Sequence, residues 1–190
     1  MKLVHVTGKK GSGKSTFLEI ARQRGYSTEE LEWGYRKLIT ENNPRIAMLP
    51  QPSDWKEHVM KLVFEEHWTR KYGQDATIFF TGLYRPTEIS YLRSVVGVDL
   101  RIASVIIDDD MIRYQRLLRR AREREVTYTI DDFRLKDLHR EGIPEAYKNN
   151  SVSTIMSMAD YEVKNNGTLI KFSEDIHRLI DVIENNFIKK

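Results

Sequence analysis

The stretch Gly8-Lys9-Lys10-Gly11-Ser12-Gly13-Lys14-Ser15 constrains this chain more than any other. It matches the pattern G-x-x-x-x-G-K-[ST] at every position. Before it, Lys2–Thr7 reads as a short apolar strand stopped by Gly8; after it, Phe17, Leu18, Ile20 and Ala21 have helical spacing from Lys14 to about Arg24. Glycines let such a loop curl until successive backbone N–H groups face one anion, and the following helix points its positive end at the same place. Gly8, Gly11, Ser12, Gly13 and Thr16 therefore belong to the anion cradle. Lys14 adds a point charge for the outer phosphates, and Ser15 offers a hydroxyl to Mg2+, which binds through few protein ligands. This loop predicts nucleoside triphosphate binding and leaves open whether transfer, switching or motion follows.

At 190 residues the chain is long enough for one domain with a full core. It has no cysteine, which excludes disulfides, thiolate catalysis and Cys-ligated metal centres. No apolar run approaches the roughly 20 residues of a bilayer span. A soluble, cytoplasmic protein with no membrane partner is expected. The net charge is only +3, yet from Arg113 to Arg124 six arginines face one acid, Glu123. That local strip predicts a polyanionic ligand more than an extended nucleic-acid surface.

Ala76–Thr81 and Arg101–Ile107 are continuous apolar, β-branched runs that read as buried strands, and Ala159–Lys164 reads as a last strand. Helical patterns occupy about 54–71, 86–96 and 168–185, the last with Leu169, Phe172, Ile176, Leu179, Ile180 and Ile183 on one side. Strands separated by helices predict an α/β fold with three α/β/α layers over a central parallel sheet of about five strands. The segment 113–158 is helical and charged, an excursion from that sheet. Within it Arg113, Arg116, Arg120 and Arg124 fall on one helix face, with Tyr114, Leu117, Leu118 and Ala121 on another.

Three features favour a small kinase over other users of the loop. The chain is too short for the second domain of most motors, and the guanine-reading N-K-x-D tetrad is absent. Thr81-Gly82-Leu83-Tyr84-Arg85 resembles the D-G-[FY]-P-R stretch of nucleoside monophosphate kinases. Arginines in the strip suit the charge that phosphoryl transfer spreads over several oxygens. Together with Arg116 and Arg120 at R-x-x-x-R spacing, Asp131-Asp132-Phe133 ahead of Arg140, and Ala159-Asp160 through Asn165-Asn166-Gly167-Thr168, the chain resembles P-loop kinases of the adenylate-kinase and dephospho-CoA-kinase branch. The nearest likeness is to the dephospho-CoA-kinase-related, adenylate-kinase-like proteins typical of archaea.

The resemblance implies a P-loop NTPase fold with an acceptor-binding helical region at about 30–72 and a helical lid at about 113–147. It implies ATP as donor, Mg2+, and an acceptor that itself bears a phosphate, such as a nucleoside monophosphate or a dephospho-CoA-like molecule. By the same likeness Arg85, and less directly Arg36, would hold the acceptor, Arg116 and Arg120 would close over the transferring group beside Lys14, and 165–168 would border the adenine. Thr81 departs from the pattern, because an aspartate is expected there. Asp108, at the end of RIASVIID, is the alternative metal ligand, although an acid opening a helix is equally an ordinary cap. Tyr84 replaces a proline, and Thr129 stands where an adenylate kinase lid has arginine. The rival reading is a nucleotide-binding switch or a nucleic-acid-associated ATPase that has lost transfer chemistry.

Overall fold

A computed structural model describes residues 1–31, 68–95, 97–124, 126–143 and 150–188, with the side chain at 188 excepted. Its strands are β1 (Lys2–Thr7), β2 (Ser27–Glu30), β3 (Thr77–Thr81), β4 (Asp99–Ile106) and β5 (Tyr161–Lys164). Its helices are α1 (Lys14–Gln23), α2 (Thr69–Tyr72), α3 (Pro86–Ser94), α4 (Asp110–Glu123), α5 (Ile130–Arg140), α6 (Val152–Ser157) and α7 (Leu169–Ile188). Most of the expected acceptor region, with Arg36, Trp33, Trp55, His58 and His67, lies outside the described residues.

All five strands run parallel in the order β2-β3-β1-β4-β5. Side chains alternate across the sheet, so β1, β3 and β4 each contribute to two separate cores. Leu3, Ile78, Phe80, Leu100 and Ile102 face one way, against Ile89 and Leu92 of α3 and Ile155 of α6. Val4, Val6, Phe79, Ala103, Val105 and Val163 face the other way, against Phe17, Leu18 and Ala21 of α1 and Phe172, Ile176 and Ile180 of α7. Burial on both faces explains why β3 and β4 read as unbroken apolar runs. This is the three-layer α/β/α arrangement of a P-loop NTPase.

The sequence pattern misses β2 altogether. Ser27-Thr28-Glu29-Glu30 has no apolar residue, but it pairs with β3 from Ser27↔Ile78 to Glu30↔Thr81 at the sheet edge, where it is covered less than the inner strands. At the other extreme, Leu169 is 67% exposed and does not belong to the apolar stripe of α7, because it opens the helix before the first turn meets the sheet. A second correction concerns α4. Arg113 is fully buried and shares its face with Leu117 and Ala121, so it departs from the strip of Arg116, Arg120 and Arg124.

Among the described residues the excursion after β4 holds three helices, α4, α5 and the short α6. Asp109 caps α4 by accepting from the Met111 N–H at 2.7 Å. Thr129 caps α5: its Oγ1 accepts from the Asp132 N–H at 3.1 Å, and the Asp132 carboxylate accepts from the Thr129 N–H at 2.9 Å. The threonine found where a lid arginine was expected is therefore the cap that starts α5.

Candidate active site

β1 is the strand at which the sheet changes direction of growth, with β3 on one side and β4 on the other, and ligands in such folds sit beyond the strand ends at that point. The phosphate loop leaves β1 there. Gly8 (φ 142°), Gly11 (φ 81°) and Gly13 (φ 113°) all adopt conformations that side chains disfavour. Space forbids a side chain too. A Cβ on Gly8 would lie 2.5 Å from the Val105 carbonyl oxygen, and one on Gly13 would lie 2.4 Å from Asn165 Nδ2. Gly13 caps α1 in a left-handed conformation, so the first turn of that helix begins at Lys14.

The Lys14 ammonium donates to the carbonyl oxygens of Gly8, at 2.6 Å, and Lys9, at 3.0 Å. Burial, aided by the Arg140 and Arg113 cations against the pull of Asp137, pushes its pKa down to about 7. Ser12 is buried with its Oγ unpartnered, a polar group inside the loop of the kind that an anion satisfies. A cradle too tight for any Cβ, an orphan hydroxyl and a curled lysine fit a polyphosphate.

A cleft of about 180 Å³ opens above this loop. Gly11, Gly13, Lys14 and Ser15 form its floor, and Lys10, Arg120 and Arg140 bring three further cations to its walls. Thr81, Tyr84 and Glu30 also line it. Glu30 is the residue sequence reading missed. It ends β2 directly beside Thr81, so a carboxylate stands one strand away from where the family aspartate was expected. Only the strand pairing reveals this, since the two positions are 51 residues apart in the chain.

Other expected residues go elsewhere. Arg116 donates to Asn165 through its carbonyl oxygen (3.3 Å) and Oδ1 (3.2 Å), and is not among the cleft-lining residues. Burial and the neighbouring Arg120 and Arg119 charges lower its pKa. Asn165 in turn donates to the Ser12 carbonyl at 2.7 Å, which makes the C-terminal turn a brace for the phosphate loop. Arg85 is half-buried and does not line the cleft; its Nε is buried and unpartnered. The Asp108 carboxylate is engaged by Asn166 Nδ2 at 2.6 Å and Lys164 at 3.4 Å, away from the cleft wall. Asp160 accepts from the Ile102 N–H at 2.8 Å and ties β5 to β4. No group of three or more His, Cys, Asp or Glu suited to a metal occurs among the described residues.

Buried Arg113 joins α4 and α5 to the phosphate loop. Its guanidinium pairs with Asp137 at 2.6 Å and Asp110 at 2.7 Å, donates to the Lys10 carbonyl at 3.1 Å, and lies over the Phe133 ring. Burial opposes the charge, but the hydrogen bonds to Asp137 and Asp110 outweigh it and raise the pKa. No helix among the described residues is long and apolar enough to cross a membrane.

Comparison with solved structures places the fold among P-loop kinases. A gluconokinase from Sinorhizobium meliloti superposes with a TM-score of 0.54 at 14% identity, covering 100% of this chain and 97% of that one. A shikimate kinase from Acinetobacter baumannii, solved with shikimate, gives 0.56 at 15% identity, covering 97% and 93%. The chain thus has a P-loop kinase-like fold. In sequence it is similar to a UPF0200 protein of Methanococcus vannielii, 28% identical over 96% of this chain and 97% of that protein. A UPF0200 protein of Thermococcus kodakarensis is 24% identical over 95% and 97%. No protein-family model matches the chain.

Proposed function

We propose that this protein is an ATP- and Mg2+-dependent kinase that phosphorylates a hydroxyl or phosphate group of a small anionic acceptor. One observation carries the reading: the phosphate loop opens into a cleft whose lining includes Arg120, Arg140 and an acid, Glu30. Arginines beyond the loop suit the charge that develops on a phosphoryl group in transfer. The kinase-like fold supports the class, and gluconokinase and shikimate kinase act within that fold on acceptors that are themselves acids.

In this scheme the loop N–H groups and Lys14 hold the β- and γ-phosphates, and Arg120 and Arg140 meet the charge that develops on the transferring group. Ser15 is the protein ligand that fits Mg2+, a hard oxygen donor facing the cleft; the ion supplies charge neutralisation on the phosphate oxygens. Glu30 orients the acceptor and accepts the proton of its attacking oxygen when that oxygen is a hydroxyl. Attack on the γ-phosphorus breaks the bond to the bridging oxygen, and ADP leaves. Among acceptors, a nucleoside monophosphate or dephospho-CoA-like molecule follows from the sequence resemblance, with Arg85 and Arg36 as further acceptor contacts and Arg116 as a lid residue. Carboxylated polyols follow from the structural neighbours.

The test is acceptor-dependent ADP release from MgATP against nucleoside monophosphates, deoxynucleotides, dephospho-CoA, shikimate and gluconate, beside an acceptor-free control. Acceptor-dependent release that falls about 100-fold or more in Glu30→Gln, with Lys14→Ala inactive, is the expected result. Nucleotide binding without acceptor-dependent release across the panel would overturn the reading in favour of the switch.

A further inference from the structure

Tyr84 is a departure with a visible partner. Arg140, the last residue of α5, lies with its guanidinium carbon 5.0 Å from the centre of the Tyr84 ring, and its Nη2 donates to the Tyr84 hydroxyl at 3.4 Å. Both residues line the cleft above the phosphate loop. They come from different elements: Tyr84 follows β3, and Arg140 ends α5.

We infer that Tyr84 is the positioning residue that presents Arg140 edge-on to an anionic group of the ligand, an assignment that rests on the kinase reading above. The attraction between a guanidinium and an aromatic ring spends none of its five N–H donors. One edge is fixed by the tyrosine hydroxyl. The Nη1 edge is buried and has no hydrogen-bond partner among the described residues, which leaves its donors for a phosphate or carboxylate oxygen. The tyrosine is itself held from both directions. Its N–H, together with that of Arg85, donates to the Glu88 carboxylate at 3.0 Å, and its carbonyl accepts from the Ser151 N–H at 2.8 Å. A proline at position 84 has no such N–H, no ring face broad enough for the guanidinium and no hydroxyl. The substitution therefore converts a backbone-shaping position into a seat for a lid arginine. The ligand class this seat selects is one with an oxyanion that reaches from the phosphate loop to Arg140.

Inorganic tripolyphosphate, titrated by calorimetry into the ligand-free protein, is the probe, with thermal melting to confirm folding. Lys14→Ala is expected to abolish binding. Arg140→Ala should weaken it about tenfold, Tyr84→Leu by a similar factor, and Tyr84→Phe, which keeps the ring, by about threefold. Because Tyr84 acts through Arg140, the Tyr84→Leu/Arg140→Ala double variant should bind as the Arg140→Ala single does. Additive losses, or affinity unchanged in Tyr84→Leu and Tyr84→Phe, would overturn the inference while leaving the kinase reading intact. Should Tyr84→Leu fail to fold, the Tyr84→Phe and Arg140→Ala cycle tests the same coupling through the hydroxyl alone. No binding to the wild type would remove the phosphate loop reading and this inference with it.

Discussion

Two bases on β1 and α1, His5 buried and Lys14 half-buried, carry opposite consequences for pH. Lys14 has a pKa of about 7 because its ammonium is withdrawn from water among other cations. A bound phosphate raises that value, so nucleotide binding takes up a proton above pH 7, and affinity falls as the pH rises. The polyphosphate itself has finished titrating by about pH 8, so from about pH 8 to pH 10 the dissociation constant should climb by up to tenfold per unit. Lys14→Arg, always charged, should bind less well but with a flat profile in that window; calorimetry across the range checks it. His5 titrates for a different reason. It is 1% exposed beside Phe80, its Nδ1 has no partner among the described residues, and burial, then the Lys14 charge, pushes its pKa down to about 3. The unfolded chain binds the proton first, so stability is intact above pH 6.5 and is lost as the pH falls towards 3. Melting between about pH 7 and pH 4.5 should therefore decline more steeply in the wild type than in His5→Leu. Equal slopes would show that His5 is not the group responsible.

Among the elements, α4 and α5 are joined by a charge more than by a core. Arg113 is fully enclosed, and its fork is matched by two carboxylates and one loop carbonyl, an arrangement planar enough that an ammonium cannot repeat it. Arg113→Ala leaves Asp137 without its partner and should cost about 3–5 kcal/mol. For a chain of this size that lowers the melting temperature by roughly 6–20 °C. Arg113→Lys should recover less than half of it, whereas an exposed strip residue such as Arg119→Ala should change melting by no more than about 2 °C. A full rescue by lysine would mean that the charge alone, without the fork, holds the lid. The same helix shows why its surface was misread. Spacings of 3 and 4 put Arg113 with both Arg116 and Leu117, and only the acids of α5 decide which neighbour shares its environment.

Across the described residues, the cleft is assembled from the ends of three adjacent strands and from α4 and α5. Ligand binding should therefore stabilise the fold as a unit. With MgATP at about 100 times its dissociation constant the gain is about 2.7 kcal/mol, or roughly 5–11 °C in melting temperature. Lys14→Ala should melt at the same temperature with and without nucleotide; a shift that survives that substitution would place the nucleotide somewhere other than the loop.

The phosphate loop, the buried strands β1, β3 and β4, the long α7 and the parallel three-layer class were legible because their signals are local. Glycines with no room for Cβ, apolar runs and a 3.6-residue period are properties of neighbouring residues in the chain. The strand β2 was not legible, since an edge strand of four polar residues owes its form to pairing with β3. Everything that turns a triphosphate loop into a cleft was decided the same way, by the tertiary structure. Glu30 meets Thr81 through strand register, Arg140 meets Tyr84 through the docking of α5, and Arg113 is buried because Asp137 arrives from another helix. Sequence patterns report the period of a helix or strand, but which charge faces which depends on how distant elements pack, and no local signal carries that.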